Sequence, residues 1–244
     1  MSRLKPMLKF TLCVLAGLLI AGHSVRAQDN AGAKTKLDLA QMRLENVQIE
    51  REGIAELFSA LSFTYNIPVG LEIARSGDRL ALYRIDFQKG TLSDLLAQFV
   101  AQHDEYTWKI ENGVLSVFPK EDHHDPVVRE LLLTEISSFS VREKTSAWSF
   151  GQNLLSIPET KRILELHGTT YDTGRVGGFY IQQLGQKFSF QVSGVQLKSI
   201  LDKVIKESPV ARNWFVSNKA SAQKIFLQVN AQPEYASLDF SVPE

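Results

Sequence analysis

Two helical stripes of apolar residues, each bracketed by strands of matching pattern, limit what this chain can fold into. Leu92, Leu95, Leu96, Phe99 and Val100 recur at helical spacing, and Leu197, Ile200, Leu201, Val204 and Ile205 repeat that spacing position for position. Ile85 and Phe87 alternate ahead of the first stripe, as Phe190 and Val192 do ahead of the second. Behind the stripes, Trp108 corresponds to Trp214, and Leu115 and Val117 correspond to Leu227 and Val229. The pattern predicts an internal repeat in which a strand, a helix and a hairpin recur.

The first copy reads as β-α-β-β-α-β-β. Met42, Leu44, Val47 and Ile49 give an imperfect strand; Ile54, Leu57, Phe58, Leu61 and Tyr65 then line one helical face, closed by Asn66-Ile67-Pro68. Two strands follow, one with Ile67, Val69, Leu71 and Ile73, the other with Leu80, Leu82, Ile85 and Phe87. Thr91 is the expected N-cap of the second helix, with the Asp94 carboxylate near its positive end. Tyr106, Trp108 and Ile110 alternate into Asn112-Gly113, a tight hairpin signal, and residues 114–118 return. Upstream the second copy is looser, with Leu131 to Val141 as its first strand and Ala147, Phe150, Leu154 and Leu155 as its first helix. The expected fold class is α+β, with tandem small domains, each a mixed sheet packed by two helices.

The N-terminus points to export. Arg3, Lys5 and Lys9 precede the apolar stretch Phe10 to Ala21, and Val25-Arg26-Ala27 ends it with a signal-peptidase pattern. Twelve residues reach about 18 Å as a helix, short of a hydrocarbon core of about 30 Å. The reading is therefore a signal peptide over 1–27 and a periplasmic product without a transmembrane segment. The whole chain has 27 basic and 27 acidic side chains; removing Arg3, Lys5, Lys9 and Arg26 leaves 23 against 27. That balance lacks the cationic excess expected of a nucleic-acid binder. Cys13, the single Cys, leaves with the signal, and a disulfide scaffold is excluded. Residues 28–36 read as a flexible leader, 37–119 as the first module, 120–126 as a linker, 127–230 as the second module and 231–244 as a tail.

No catalytic, cofactor or metal site emerges. Asp122, His123, His124 and Asp125 have metal-ligand side chains, yet neighbours in an extended linker point opposite ways, so a solvated linker is expected. Glu165, His167 and Asp172, beside Tyr171, form the one acid/base group that a hydrolase reading would use. Gly174, Gly177 and Gly178 lack the Lys and the strand-then-helix setting of a phosphate loop, and read as a hairpin turn. Trp108 and Trp214 are candidate binding residues for a glycan, peptidoglycan or peptide, although their alternation also fits a core. Leu238, Phe240 and Val242 alternate in the tail and suit strand addition to a partner.

Met42 to Pro119 resembles the short N-terminal domain shared by secretins and TonB-dependent receptors. Gly90-Thr91-Leu92 with Leu95-Leu96, and Trp108 ahead of Asn112-Gly113, are the matching positions. The second segment resembles it more weakly. The resemblance implies a non-enzymatic periplasmic protein–protein interaction module with no cofactor, whose partner is a secretin-like or TonB-receptor-like envelope protein or a second copy. Fifteen residues follow Val229, so a pore or barrel is expected on another chain. Intact-mass measurement of the exported protein should place its first residue at Gln28; retention of residues 1–27 would contradict the signal reading.

Overall fold

The computed structural model describes residues 38–74, 81–172, 184–185, 187–219 and 222–231. The first half runs β1 (Arg43–Glu52), α1 (Ile54–Tyr65), β2 (Val69–Glu72), β3 (Leu82–Thr91), α2 (Leu92–Gln102), β4 (Tyr106–Glu111) and β5 (Val114–Pro119). Strand β1 is imperfect for a local reason. Asn46 sits at φ +53°, and Leu44 and Val47, three positions apart, are both buried. Asn66, left-handed at φ +55°, closes α1. Thr91 and Asp94 form a reciprocal capping box at the start of α2. Asn112 and Gly113, at φ +53° and +79°, make the β4–β5 turn with the paired positive φ of a type I′ hairpin.

The second half runs α3 (Pro126–Leu133), β6 (Glu135–Ile136), β7 (Phe139–Val141), α4 (Ala147–Leu155), α5 (Pro158–Leu166), β8 (Thr170–Asp172), β9 (Phe190–Val192), β10 (Val195–Gln196), α6 (Leu197–Glu207), β11 (Ala211–Lys219) and β12 (Lys224–Ala231). Residues 131–133, expected in a strand, end helix α3 instead, because Pro126 at its first turn and the Asp125 side chain nucleate a helix there.

Strand pairings in the two halves correspond. β1 pairs antiparallel with β3, and β7 with β9; β2 pairs parallel with β5, and β8 with β12; β4 pairs antiparallel with β5, and β11 with β12. Register corresponds too: Trp108 lies opposite Val117 and Trp214 opposite Val229. The α+β class holds, and the halves do not keep separate sheets. Strand β2 pairs parallel with β11, so one six-stranded sheet runs β4-β5-β2-β11-β12-β8.

That junction fixes where the helices go. Because β11 runs with β2 but against β12 and β8, the second half keeps the strand order of the first while reversing strand direction. Reversal at constant order exchanges the faces of a sheet. Accordingly Val69, Leu71, Leu115 and Val117 pack with α1 and α2 in one core, while Trp214, Val216, Leu227 and Val229 pack with α4 and α6 in a core on the other side. Each core also takes a residue from the other half, Phe215 in the first and Val114 in the second. The described residues form one compact unit.

Polar contacts stitch the halves together. Ser59 donates to Asn213 Oδ1 at 3.2 Å and Asn230 Nδ2 donates to the same oxygen at 2.7 Å, while the Ser62 hydroxyl reaches the Arg212 carbonyl at 3.0 Å. The stretch 120–126 is structured. A 3-10 turn spans Glu121–His123, and buried Asp125 accepts from the Val127 and Val128 amides at 3.0 and 3.1 Å while Asn218 Nδ2 donates to its other oxygen at 3.0 Å. One carboxylate thus caps α3 and ties it to β11. Asp125→Ala should lower stability by about 1 to 2 kcal/mol in urea unfolding, since it removes an N-cap and leaves a buried amide without its acceptor; an unchanged midpoint would contradict this.

Candidate functional site

The sequence candidates are dispersed. Trp108 is half-buried on β4 against the first core. Trp214 is 2% exposed, and its indole Nε1 donates to Asp202 Oδ1 at 2.9 Å, so it is a core residue whose one polar side-chain atom is paired. Leu238, Phe240 and Val242 lie outside the described residues, as do Gly174, Gly177 and Gly178. Of the acid/base candidates, His167 Nε2 lies 2.7 Å from Glu130 Oε2 on α3, a partner outside the group, and the Tyr171 hydroxyl lies 3.2 Å from Ser156 Oγ. The four-residue cluster Asp122 to Asp125 is divided between tasks. His124 turns inward and Asp125 caps a helix, in place of the solvated linker expected. Among the described residues no three His, Cys, Asp or Glu side chains converge as a metal site requires, and no helix is long and apolar enough to cross a membrane.

What the fold does assemble is a cleft of about 270 Å³ on the face of the sheet opposite α1 and α2, walled by α3 and α6. Its floor is a row of register neighbours on four strands: Lys109 opposite Ser116, Ser116 opposite Gly70, and Gly70 opposite Trp214. The two middle residues are small, and the Trp214 indole lies over Gly70. Gly70 has no alternative, because a Cβ there would sit 2.4 Å from Trp214 Cζ2. Leu132 and Leu133 of α3 form the apolar wall, Leu133 with half its surface (51%) exposed.

Charged groups surround this apolar floor. Lys109 Nζ lies 2.9 Å from Glu111 and 5.7 Å from the Phe118 ring centre; Lys198 pairs with Asp202 and stands 5.8 Å from the Trp214 ring centre. Arg129 pairs with Glu121. The hydrogen bond from Lys109 holds the Glu111 carboxyl below its ordinary range, helped by the charges of Lys109 and Lys198. Glu72 is buried in the wall, 2.7 Å from His124 Nδ1, with the imidazole stacked on Phe118. Burial pushes the Glu72 carboxyl upward, opposed by the His124 hydrogen bond and by the charges of His124 and Arg129. Ser116, 2% exposed, lines the cleft, and its hydroxyl has no hydrogen-bond partner.

Ser116, Gly70, Glu72, Lys109, Lys198 and Leu133 escaped the sequence reading. The available signal was that Gly70 stands between Val69 and Leu71 and Ser116 between Leu115 and Val117, each interrupting an apolar run, but only the register places them side by side. No known protein family, curated protein or solved structure matches the chain.

A carboxyl with a raised folded pKa binds more protons folded than unfolded across the window above about pH 4.3, so its contribution to stability is full below that pH and is lost as pH rises through the folded value. Glu72→Gln should remove this fall: in urea unfolding between about pH 4 and 7, the variant gains on the parent as pH rises. Parallel profiles would contradict the assignment.

Proposed function

We propose that this protein is an exported, non-catalytic contact module whose two halves are copies of one domain, similar to the short N-terminal domain of secretins and TonB-dependent receptors. It docks an envelope protein at the outer edge of its sheet. One observation carries this reading: the chain already joins its own halves by strand addition, β2 against β11, and β4, which holds in the first half the place that β11 holds in the second, ends the sheet with no strand beyond it among the described residues. An edge strand offers its outward N–H and C=O groups to a further strand, so binding there needs no converging reactive groups. The six residues of β4, Tyr106–Glu111, are long enough for such pairing and carry Trp108 and Ile110 on the face toward the first core.

A photo-cross-linking residue at Thr107 on β4, expressed in the native envelope, should capture a partner, expected to be a multi-spanning outer-membrane protein. The same residue at Leu166, which is 70% exposed on α5, should not. Recovery of monomer alone from Thr107, while a control complex is captured in the same cells, would overturn the reading.

A further inference from the structure

The junction cleft carries a more specific inference. Its floor combines three features that a simple packing defect lacks. The Trp214 indole, seated over Gly70, makes a flat apolar surface, Ser116 places a buried hydroxyl beside it with nothing to bond, and the ammonium groups of Lys109 and Lys198 line the mouth, paired with Glu111 and Asp202. A buried hydroxyl without a partner costs free energy that an incoming acceptor would recover.

We infer that this cleft is a socket for a carboxylate carried next to an apolar side chain, as at the C-terminus of a peptide ending in an apolar residue. The side chain lies on the Trp214 indole against Leu132 and Leu133. The carboxylate accepts from the Ser116 hydroxyl and faces Lys109 and Lys198. Size agrees with a single residue: the volume of about 270 Å³ falls just below the range of about 300 to 1,000 Å³ usual for drug-sized ligands. Charge agrees as well, because each lysine already holds a carboxylate, Lys109 that of Glu111 and Lys198 that of Asp202, and the Glu111 carboxyl is kept below its ordinary range. Glu111 at Lys109 and Asp202 at Lys198 are therefore internal competitors of the ligand, and removing the charge of Glu111 should free Lys109 for it.

This inference deepens the contact reading by naming what a partner's end would present, but its test needs no partner, so its failure leaves the β4 cross-linking result standing. The isotopically labelled chain from Gln28 is titrated with N-acetyl-phenylalanine, its amide and octanoate, following backbone and indole resonances. N-acetyl-phenylalanine should bind saturably with a dissociation constant on the order of 1 mM, shifting Gly70, Ser116 and the Trp214 indole. The amide should bind at least about tenfold more weakly, and Ser116→Ala should cost about tenfold, the worth of one hydrogen bond to a charged group. Glu111→Gln should tighten binding, a change of opposite sign that a purely structural role would not produce, and Leu133→Glu, at an exposed position, should abolish it without unfolding the chain. Equal binding of acid and amide, shifts that map elsewhere, absence of saturation at about 10 mM, or weaker binding to Glu111→Gln would overturn the socket. Tighter binding of octanoate would overturn its assignment to a peptide end.

Discussion

Parallel pairing of β2 with β11 organises everything else in this molecule. Val69 to Glu72 meet Asn213 to Val216 residue for residue, and the Ile73 amide extends the ladder to the Val216 carbonyl at 2.9 Å. Each strand would otherwise end a three-stranded sheet, with a row of unpaired backbone groups. Joined, they become central strands, and their inner residues Val69, Leu71, Trp214 and Val216 are buried to 2% or less. The direction of the join matters as much as its existence. A parallel contact between β2 and β11 inverts the second half, sends its helices to the far face, and leaves each half-sheet with one face covered by its own helices and the other roofed only in part by its neighbour's.

The cleft is a direct product of that partial roofing. On the face that α1 and α2 leave bare, Gly70, Ser116 and Lys109 belong to the first half, while Trp214, Lys198 and the α3 leucines come from the second. No single half contains it. The Glu72–His124 contact and the Asp125 cap pin the connecting segment against the same seam, so what joins the halves also shapes the cavity between them. An exposed edge and a cleft built from both halves support the proposal that this surface receives another chain.

Local order was legible in the sequence. The stripes over 92–100 and 197–205, the Thr91–Asp94 cap and the Asn112-Gly113 turn all follow from short-range rules, in which neighbouring residues decide the backbone. The junction was not. Nothing near Val69 or near Asn213 announces that they pair, because β2 has only four residues, with Val69 and Leu71 on one side and Gly70 and Glu72 on the other, and reads equally well as a strand of its own half. Gly70 illustrates the gap: alone it is a weak strand residue, and its role appears only when Trp214 lies across it. Likewise, Asp122 to Asp125 read as a polar linker by composition, yet the fold folds His124 inward onto Glu72 and spends Asp125 on a helix terminus.

Backbone NOE spectroscopy on the chain from Gln28 tests the central claim most directly. The shared sheet predicts cross-strand contacts between residues 69–72 and 213–216, including Gly70 with Trp214, with β2 amides protected from exchange as in a central strand and both halves tumbling at one rate. Absence of those contacts, with edge-like exchange in β2 and separate tumbling rates, would contradict it.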